Sequence, residues 1–169
     1  KRYVQHWEEL RKNSTGLLLW GDVGTGKSFI AGCIANALLD KGVPVIMTNF
    51  ARLLNKLTDM YAGDRNAYID SFKRYPLMII DDLGVERNSE FAREQVFSVI
   101  DSRYRSELPM IVRTNLTLEE LQHPEDLSRS RIYDRVLERC LPIRVKDQNI
   151  RELNQAATFA QAKQLLRST

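Results

Sequence analysis

The sequence is poor in cysteine. Only two cysteines, Cys33 and Cys140, occur among its 169 residues, and their separation matches no metal-binding spacing. A cysteine-held metal site is therefore excluded. Both cysteines lie in apolar helical patterns, which predicts buried free thiols in a reducing cytoplasm.

Long apolar runs are also missing. No stretch approaches the ~20 residues that a membrane-spanning helix needs, and no secretory signal precedes Arg11 and Lys12. We therefore expect a cytoplasmic protein without a membrane partner. Internal repeats, low-complexity tracts and linkers are absent as well, so a single domain is expected.

Net charge is small, at +3 for the whole chain, and does not by itself indicate nucleic acid. The distribution of charge is more informative. Residues 127–151 carry seven basic side chains against three acidic ones. This local surplus calls for an anionic partner or an acidic neighbour.

What the sequence does contain is an alternation of strands and helices. Apolar runs predict strands at 17–20, 43–48, 77–82, 109–115 and 141–145, with helical patterns between them and a further helix from Asn149 onward. A break in the helical pattern is expected at Gly63 and Asp64. Such alternation predicts an α/β fold, with a five-stranded parallel sheet covered by helices on both faces.

The stretch 21–28 carries the strongest motif. It reads G-x-x-x-x-G-K-S, follows the first strand and opens a helix, which is the context that a phosphate-binding P-loop requires. Glycines allow successive N–H groups to point at phosphate oxygens, and the helix dipole favours the same anion. The residues predicted to bind the nucleotide are Gly21, Asp22, Val23, Gly24, Thr25, Gly26, Lys27, Ser28 and Phe29, with Lys27 at the β- and γ-phosphates and the Ser28 hydroxyl on Mg²⁺.

Two carboxylates end the third predicted strand. Asp81 is where the magnesium of a bound nucleotide needs negative charge. Asp82 would face the γ-phosphate and orient or deprotonate the attacking water. Because neighbouring residues of a strand alternate between faces, we expect the two carboxylates to have separate roles.

Four further polar residues are candidates. Asn115, at the end of the following strand, would hold the attacking water, although it is equally an ordinary turn residue. Arg131 and Arg135 are four residues apart on one helix and share a face. That face is either solvated or reaches the γ-phosphate of a neighbouring subunit. Arg151 is placed to touch the phosphates of its own subunit.

With these motifs in view, the sequence resembles the bacterial DnaC/DnaI helicase-loader family of AAA+ ATPases, with the IstB transposition helpers as close relatives. The resemblance rests on GDVGTGKS at 21–28, LMIIDDLG at 77–84, TNLT at 114–117 and RIYDRVLERC at 131–140. It implies Walker A and B motifs, sensor 1 at Asn115, sensor 2 at Arg151, and an arginine finger at Arg135, with Arg131 as second choice.

The resemblance also implies what the protein works with. ATP and Mg²⁺ are the expected cofactors, and single-stranded DNA, a replicative helicase hexamer and further copies of the same chain are the expected partners. Residues 1–169 would be one AAA+ ATPase domain, and the amino-terminal helicase-binding segment of the family is expected to be absent from it. Helicase contact would then require a segment outside this chain.

Two residues depart from the family pattern. Asp82 stands where many AAA+ proteins have Glu, and the shorter side chain predicts slow hydrolysis. Arg113 occupies a position beside sensor 1 that is usually Thr.

A DNA contact is expected in the helical segment 49–75. Basic side chains with an interleaved aromatic suit single-stranded DNA, since phosphates meet cations while bases stack on the ring. An ordinary solvated helix pair would have a similar composition. The residues predicted to contact DNA are Arg52, Lys56, Tyr61 and Lys73.

The sequence therefore predicts an ATP-hydrolysing DNA-replication factor, and three alternatives stay open. A transposition helper would use the same ATPase on a transposase. A small P-loop kinase would need an arginine-bearing lid and an acceptor pocket. A nucleotide-gated binding module that hardly hydrolyses ATP would fit the shorter carboxylate at Asp82.

Overall fold

A computed structural model describes residues 1–84, 89–124 and 126–146 of the chain. Strands and helices alternate along these residues, as predicted. The strands are β1 (Gly16–Trp20), β2 (Val45–Asn49), β3 (Leu77–Leu83), β4 (Met110–Thr114) and β5 (Cys140–Arg144). The helices are α1 (Arg2–Gln5), α2 (Trp7–Lys12), α3 (Lys27–Leu39), α4 (Phe50–Thr58), α5 (Ala62–Asp70), α6 (Glu90–Arg105), α7 (Leu118–Gln122) and α8 (Leu127–Arg139), with a 3₁₀ turn at Ser71–Arg74.

The five strands form one parallel sheet in the order β2-β3-β4-β1-β5. β4 therefore lies between β1 and β3. The carboxyl ends of parallel strands meet at one edge of a sheet, so the loops after β1, β3 and β4 are neighbours. The predicted five-stranded parallel fold is confirmed.

Helices cover both faces of the sheet, also as predicted. On the face that we call the α3 face, Leu38 of α3 and Trp7 of α2 belong to the same buried cluster as Ile79 of β3. On the opposite face, Val96 of α6 packs in a cluster with Ile80. Consecutive residues of β3 thus enter different clusters, because strand side chains alternate with a period of two.

Side chains cap several helices where the sequence indicates them. The Asn49 Oδ1 accepts a hydrogen bond from the Arg52 N–H at 2.7 Å and so caps α4. Thr117 and Glu120 form a reciprocal capping box at the start of α7. Each such contact satisfies a backbone N–H that the helix itself leaves without a partner.

The predicted helix break at Gly63 and Asp64 is wrong. Both residues lie in the first turn of α5, and the break falls at 59–61 instead. An aspartate in the first turn interacts favourably with the helix dipole. Its position offsets part of the low helix propensity of the adjacent glycine.

The expectation for the cysteines is correct only in part. Cys140 is buried, but it begins β5 rather than lying in a helix, and burial raises the pKa of its thiol. Cys33 lies in α3 but is exposed, because the buried stripe of that helix runs through Ala31, Ile34 and Leu38. The predicted helix from Asn149 onward lies outside the described residues.

A buried arginine joins several segments at the amino-terminal edge of the sheet. Arg103 of α6 is 2% exposed and donates hydrogen bonds to four carbonyl oxygens at 2.8–3.2 Å, those of Phe72, Tyr75, Pro76 and Pro109. It therefore ties the chain before β3 and the chain before β4 to α6.

Among the described helices, none is long and apolar enough to cross a membrane.

Candidate nucleotide-binding site

A cleft of ≈ 580 Å³ opens at the carboxyl-terminal edge of the sheet. This volume is in the usual range for a small-molecule site. The loop after β1, the end of β3 and the loop after β4 all reach it. Its lining consists of Val23, Gly24, Thr25, Gly26, Lys27, Ser28, Phe29, Asp81, Asp82 and Asn115, which brings together most of the residues that the sequence predicts for the site.

Glycines shape the loop that follows β1. Gly21 has a φ of +136°, and a Cβ atom there would lie 2.5 Å from the Val145 carbonyl oxygen. Gly26 has a φ of +93° and immediately precedes α3. Side chains other than glycine rarely adopt such backbone angles. The first helical N–H groups of α3 thus face the cleft, where they favour an anion.

The lysine of the motif is held by its own loop. The Lys27 Nζ donates hydrogen bonds to the Gly21 carbonyl at 2.6 Å and to the Asp22 carbonyl at 2.7 Å. The Thr25 hydroxyl donates to the same Asp22 carbonyl at 2.9 Å. Lys27 is 8% exposed, so its charge is concentrated at the cleft rather than spread into solvent.

A bulge changes the predicted arrangement of the two carboxylates. The pairing of β3 with β4 shifts between Ile80 and Leu83, and Asp82 has a φ of +61°. The Asp82 N–H donates to the Asp81 Oδ1 at 2.9 Å. Both carboxylates line the same cleft, whereas regular alternation would have sent them to opposite faces. A bulge interrupts the strand's period of two here, so the separate roles predicted for the two carboxylates do not follow from strand alternation and stay a prediction.

An arginine contacts the predicted metal-binding carboxylate. The Arg113 Nη2 forms an ion pair with the Asp81 Oδ2. Arg113 is 2% exposed, and the Asp81 side chain is 24% exposed. The sequence shows Arg113 only as a departure from the family pattern. Its contact was missed, although a charge inside the apolar strand β4 already signals a buried partner.

Hydrogen bonds shape the turn that carries Asn115. The Thr114 hydroxyl donates to the Leu83 carbonyl at 2.7 Å and accepts from the Leu116 N–H at 3.1 Å. These bonds join the ends of β3 and β4. Asn115 lies between the two bonded residues and lines the cleft.

The two arginines of α8 have different surroundings. The Arg135 Nε donates to the Asp101 Oδ1 at 2.8 Å, and its guanidinium lies 4.7 Å from the Phe97 ring centre. Its Nη1 also donates to the Arg131 carbonyl at 3.0 Å. Arg131 is exposed. Neither arginine lines the cleft of this subunit, and Arg151 lies outside the described residues.

The residues predicted to contact DNA lie along α4 and α5 and in the segments around them. Tyr61 is 85% exposed between the two helices, and Arg52 is exposed on α4. The Lys56 ammonium lies 5.1 Å from the Tyr68 ring centre, and Lys73 forms an ion pair with Asp70. Two of the four side chains are thus available, while two already have intramolecular partners.

Oxygen ligands for a divalent cation are present in the cleft. Mg²⁺ prefers hydroxyl, carboxylate and phosphate oxygens, and Ser28 and Asp81 both line the cleft that the loop backbone opens towards an anion. The donor chemistry therefore fits a metal-bound nucleotide. Asp81 would have to serve the metal while it also contacts Arg113.

The fold and this cleft define a P-loop nucleotide-binding domain of the AAA+ class. The model of the IstB-like ATP binding protein family matches residues 5–158. The chain belongs to that family.

Individual relatives point in the same direction. The chain is 29% identical over 163 residues to the replicative helicase loader DnaI of Bacillus subtilis (strain 168), which covers 88% of this chain and 51% of the relative. It is 27% identical over 135 residues to the replicative helicase loader DnaC of Escherichia coli (strain K12), which covers 78% of this chain and 54% of the relative. The chain thus spans about half the length of these curated relatives.

A solved structure gives the same result for the fold. The crystal structure of the DnaI matches with a TM-score of 0.72 at 25% sequence identity. The match covers 88% of this chain and 79% of that chain. Resemblance to the helicase loaders therefore holds in sequence and in structure.

Proposed function

We propose that this chain is the ATPase domain of a DNA-replication factor that helps to load a replicative helicase. The observation that carries the proposal is the cleft where Lys27, Asp81, Asp82 and Asn115 meet, although they come from the start of α3, the end of β3 and the loop after β4. A glycine-rich turn without a ligand would need no such convergence. Similarity to the DnaI and DnaC helicase loaders supports the replication role, and it supports work in the cytoplasm.

Each residue of the cleft has a role in this proposal. The first turn of α3 and Lys27 bind the phosphates of ATP, and Ser28 and Asp81 hold the metal ion. When bound, Mg²⁺ neutralises charge that develops on the phosphate oxygens. Asp82 and Asn115 orient the attacking water. Asp82 is one methylene shorter than the Glu of many AAA+ proteins, so we expect slow hydrolysis by the isolated chain.

We further propose that copies of the chain assemble when ATP is bound, with Arg131 as the arginine that reaches the neighbouring γ-phosphate. Arg135 is the alternative. Its contacts with Asp101 and Phe97 hold it against α6, and withdrawing it would cost those contacts. Arg131 is exposed and its carbonyl accepts a hydrogen bond from Arg135, so Arg135 supports the turn that presents it.

Single-stranded DNA is the proposed nucleic-acid ligand of the helical segment 49–75. Tyr61 is the side chain most available for stacking, since it is 85% exposed, and Arg52 and Lys56 precede it on α4. Labelled oligonucleotide anisotropy should show tighter binding with ATP than with ADP, and weaker binding to duplex DNA of equal length. Equal affinity for single-stranded and duplex DNA, with ATP and with ADP, would contradict the DNA role. The proposed ATPase activity would be unaffected by that result.

Titration with a fluorescent ATP analogue tests the ATP site directly. Lys27→Ala removes a buried cation from the cleft, and we expect the Kd to rise about 100-fold. Lys12→Ala is the matched control, because Lys12 is exposed on α2, away from the cleft. Wild-type affinity in Lys27→Ala would contradict the assignment of the phosphate site.

A transposition helper is the second candidate function, and the family match favours it, since the matching model describes IstB-like ATP binding proteins. The ATP site is the same in both cases. Co-purification with a replicative helicase or with a transposase, each in the presence of ATP and with any segment of the protein outside this chain included, separates the two functions. If the protein retains the transposase and not the helicase, the transposition-helper function would replace the helicase-loading function.

A further inference from the structure

Arg113 introduces a permanent charge at the carboxyl-terminal end of β4. It pairs in register with Leu19 of β1, two residues before Gly21. It also follows Ile111, which packs on the α3 face, by two residues. By the period of a strand, Arg113 therefore points to the α3 face. It lies beside the strand that leads into the phosphate-binding loop, and its guanidinium contacts Asp81.

The charge of Arg113 cannot be removed by pH, since a guanidinium stays protonated throughout the range in which proteins fold. At 2% exposure it is also shielded from solvent and salt. Arg113 does not itself line the cleft, but its fixed charge lies behind Asp81 and balances that carboxylate. A triphosphate that binds without metal would therefore meet Lys27 and a neutralised Asp81 instead of a bare carboxylate.

The partner of this cation is Asp81, the carboxylate that the proposed function gives to the metal ion. A divalent cation that approaches Asp81 meets a carboxylate whose charge is already balanced by a neighbouring guanidinium. Its attraction to the carboxylate is weaker for that reason, and it is also repelled by the guanidinium itself. Mg²⁺ and Arg113 therefore compete for one carboxylate.

We propose that Arg113 is a built-in counter-ion of Asp81, which makes ATP binding largely independent of Mg²⁺ and raises the Mg²⁺ concentration that the site needs. This inference rests on the proposed ATP-binding function. It concerns a positioning residue, since Arg113 acts through Asp81. The consequence is a domain that holds ATP without metal, and whose Asp81 could hold Mg²⁺ only after it gives up its contact with Arg113.

The experiment measures the affinity for a fluorescent ATP analogue with a metal chelator and with saturating Mg²⁺. In the wild type we expect the two Kd values to differ by less than about threefold. In Arg113→Thr the affinity with chelator should fall about tenfold, because Asp81 loses the charge that balances it and then repels the triphosphate. The Mg²⁺ concentration at half-maximal effect on binding should fall about tenfold as well, because Asp81 is released.

Two further variants make the outcome specific. Arg113→Lys keeps a buried cation and guards against a threonine variant that does not fold; its single ammonium group should shift both quantities in the same direction by a smaller amount. Arg11→Met removes an exposed arginine on α2 and should change neither quantity. A role of Arg113 in folding alone would lower stability without altering the ratio of the two affinities.

The possible results separate the inference from the function beneath it. Failure of the wild type to bind the analogue in either condition would overturn the proposed ATP site and this inference together. Normal binding with the same metal dependence in the wild type, Arg113→Thr and Arg113→Lys would overturn this inference alone. A wild type that binds only with Mg²⁺ would also overturn it.

Discussion

Two buried arginines mark the two edges of the sheet, and their partners differ in kind. Arg103, at the amino-terminal edge, and Arg113, at the carboxyl-terminal edge, are each 2% exposed. Arg103 donates to four backbone carbonyls. Arg113 contacts a carboxylate that lines an open cleft. The first arginine holds segments of the chain together, and the second places charge where a ligand would bind.

The environment of each arginine shows why. Burial lowers the pKa of the Arg103 guanidinium to about 10, a cost that its fan of carbonyl acceptors offsets. Asp81, the partner of Arg113, remains 24% exposed, so water can solvate it if the arginine leaves. Two equally buried arginines thus differ in how much stability they contribute, depending on whether water can replace the arginine at its partner.

The largest effect is expected at the amino-terminal edge. Arg103→Met should lower the free energy of unfolding by about 4 kcal/mol, because four backbone carbonyls lose a charged, buried donor at once. Urea denaturation measures the loss. Arg105→Met, which removes an arginine that is 74% exposed, is the control and should stay within about 0.5 kcal/mol of wild type. A loss below about 1 kcal/mol for Arg103→Met would remove the contrast between the two edges.

The two arginines of α8 should show the same contrast between a structural and a functional arginine, with smaller effects on stability. Arg131→Ala should reduce ATP turnover about 100-fold while leaving stability unchanged, because an arginine finger acts on a neighbour's transition state. Arg135→Ala should lower the free energy of unfolding by about 1–2 kcal/mol, because the contacts of Arg135 with Asp101 and Phe97 are lost. Turnover assays beside urea denaturation of both variants are the measurement. If Arg135→Ala instead reduces turnover and Arg131→Ala lowers stability, Arg135 is the arginine finger.

Removal of the arginine at the cleft should cost less stability than removal of Arg103. Arg113→Met should lower the free energy of unfolding by about 1 kcal/mol, since Asp81 then turns to water. Comparison of the urea midpoints of Arg103→Met and Arg113→Met gives the answer directly. Equal losses would mean that both arginines are mainly structural.

The smallest effect is expected just beyond the cleft, at the capping box of α7. Thr117→Ala should cost about 1 kcal/mol or less, as an exposed helix cap usually does. Hydrogen bonds from the Thr117 backbone and hydroxyl lower the pKa of Glu120. Its contribution is therefore present above the carboxyl pKa of the unfolded chain and is lost as the pH falls through the lower, folded value. The difference between the urea midpoints of wild type and Thr117→Ala should narrow in acid, because the hydroxyl bond to the Glu120 carboxylate weakens while the cap on the Glu120 N–H remains; a constant difference would contradict the link.

Much of the fold and the cleft could be predicted from the sequence. The G-x-x-x-x-G-K-S motif stands between an apolar strand and a helix, and such local patterns survive in the folded chain. Asp81, Asp82 and Asn115 each lie near the carboxyl end of an apolar strand, so the rules of parallel sheets place them at one edge. The prediction of a helix break at Gly63 and Asp64 was wrong, because a glycine and an aspartate in the first turn of a helix resemble a turn in sequence.

The sequence alone determined the order of strands and helices, the phosphate-binding loop and the edge of the sheet where polar side chains gather, since these follow from local pattern and strand direction. Only the tertiary structure decided which polar groups meet. The bulge that turns both Asp81 and Asp82 to the cleft depends on how β3 pairs with β4. The contacts of Arg113 with Asp81 and of Arg135 with Asp101 join residues 32 and 34 positions apart. A charge finds its partner through packing across neighbouring strands and helices, and no local pattern encodes that distance.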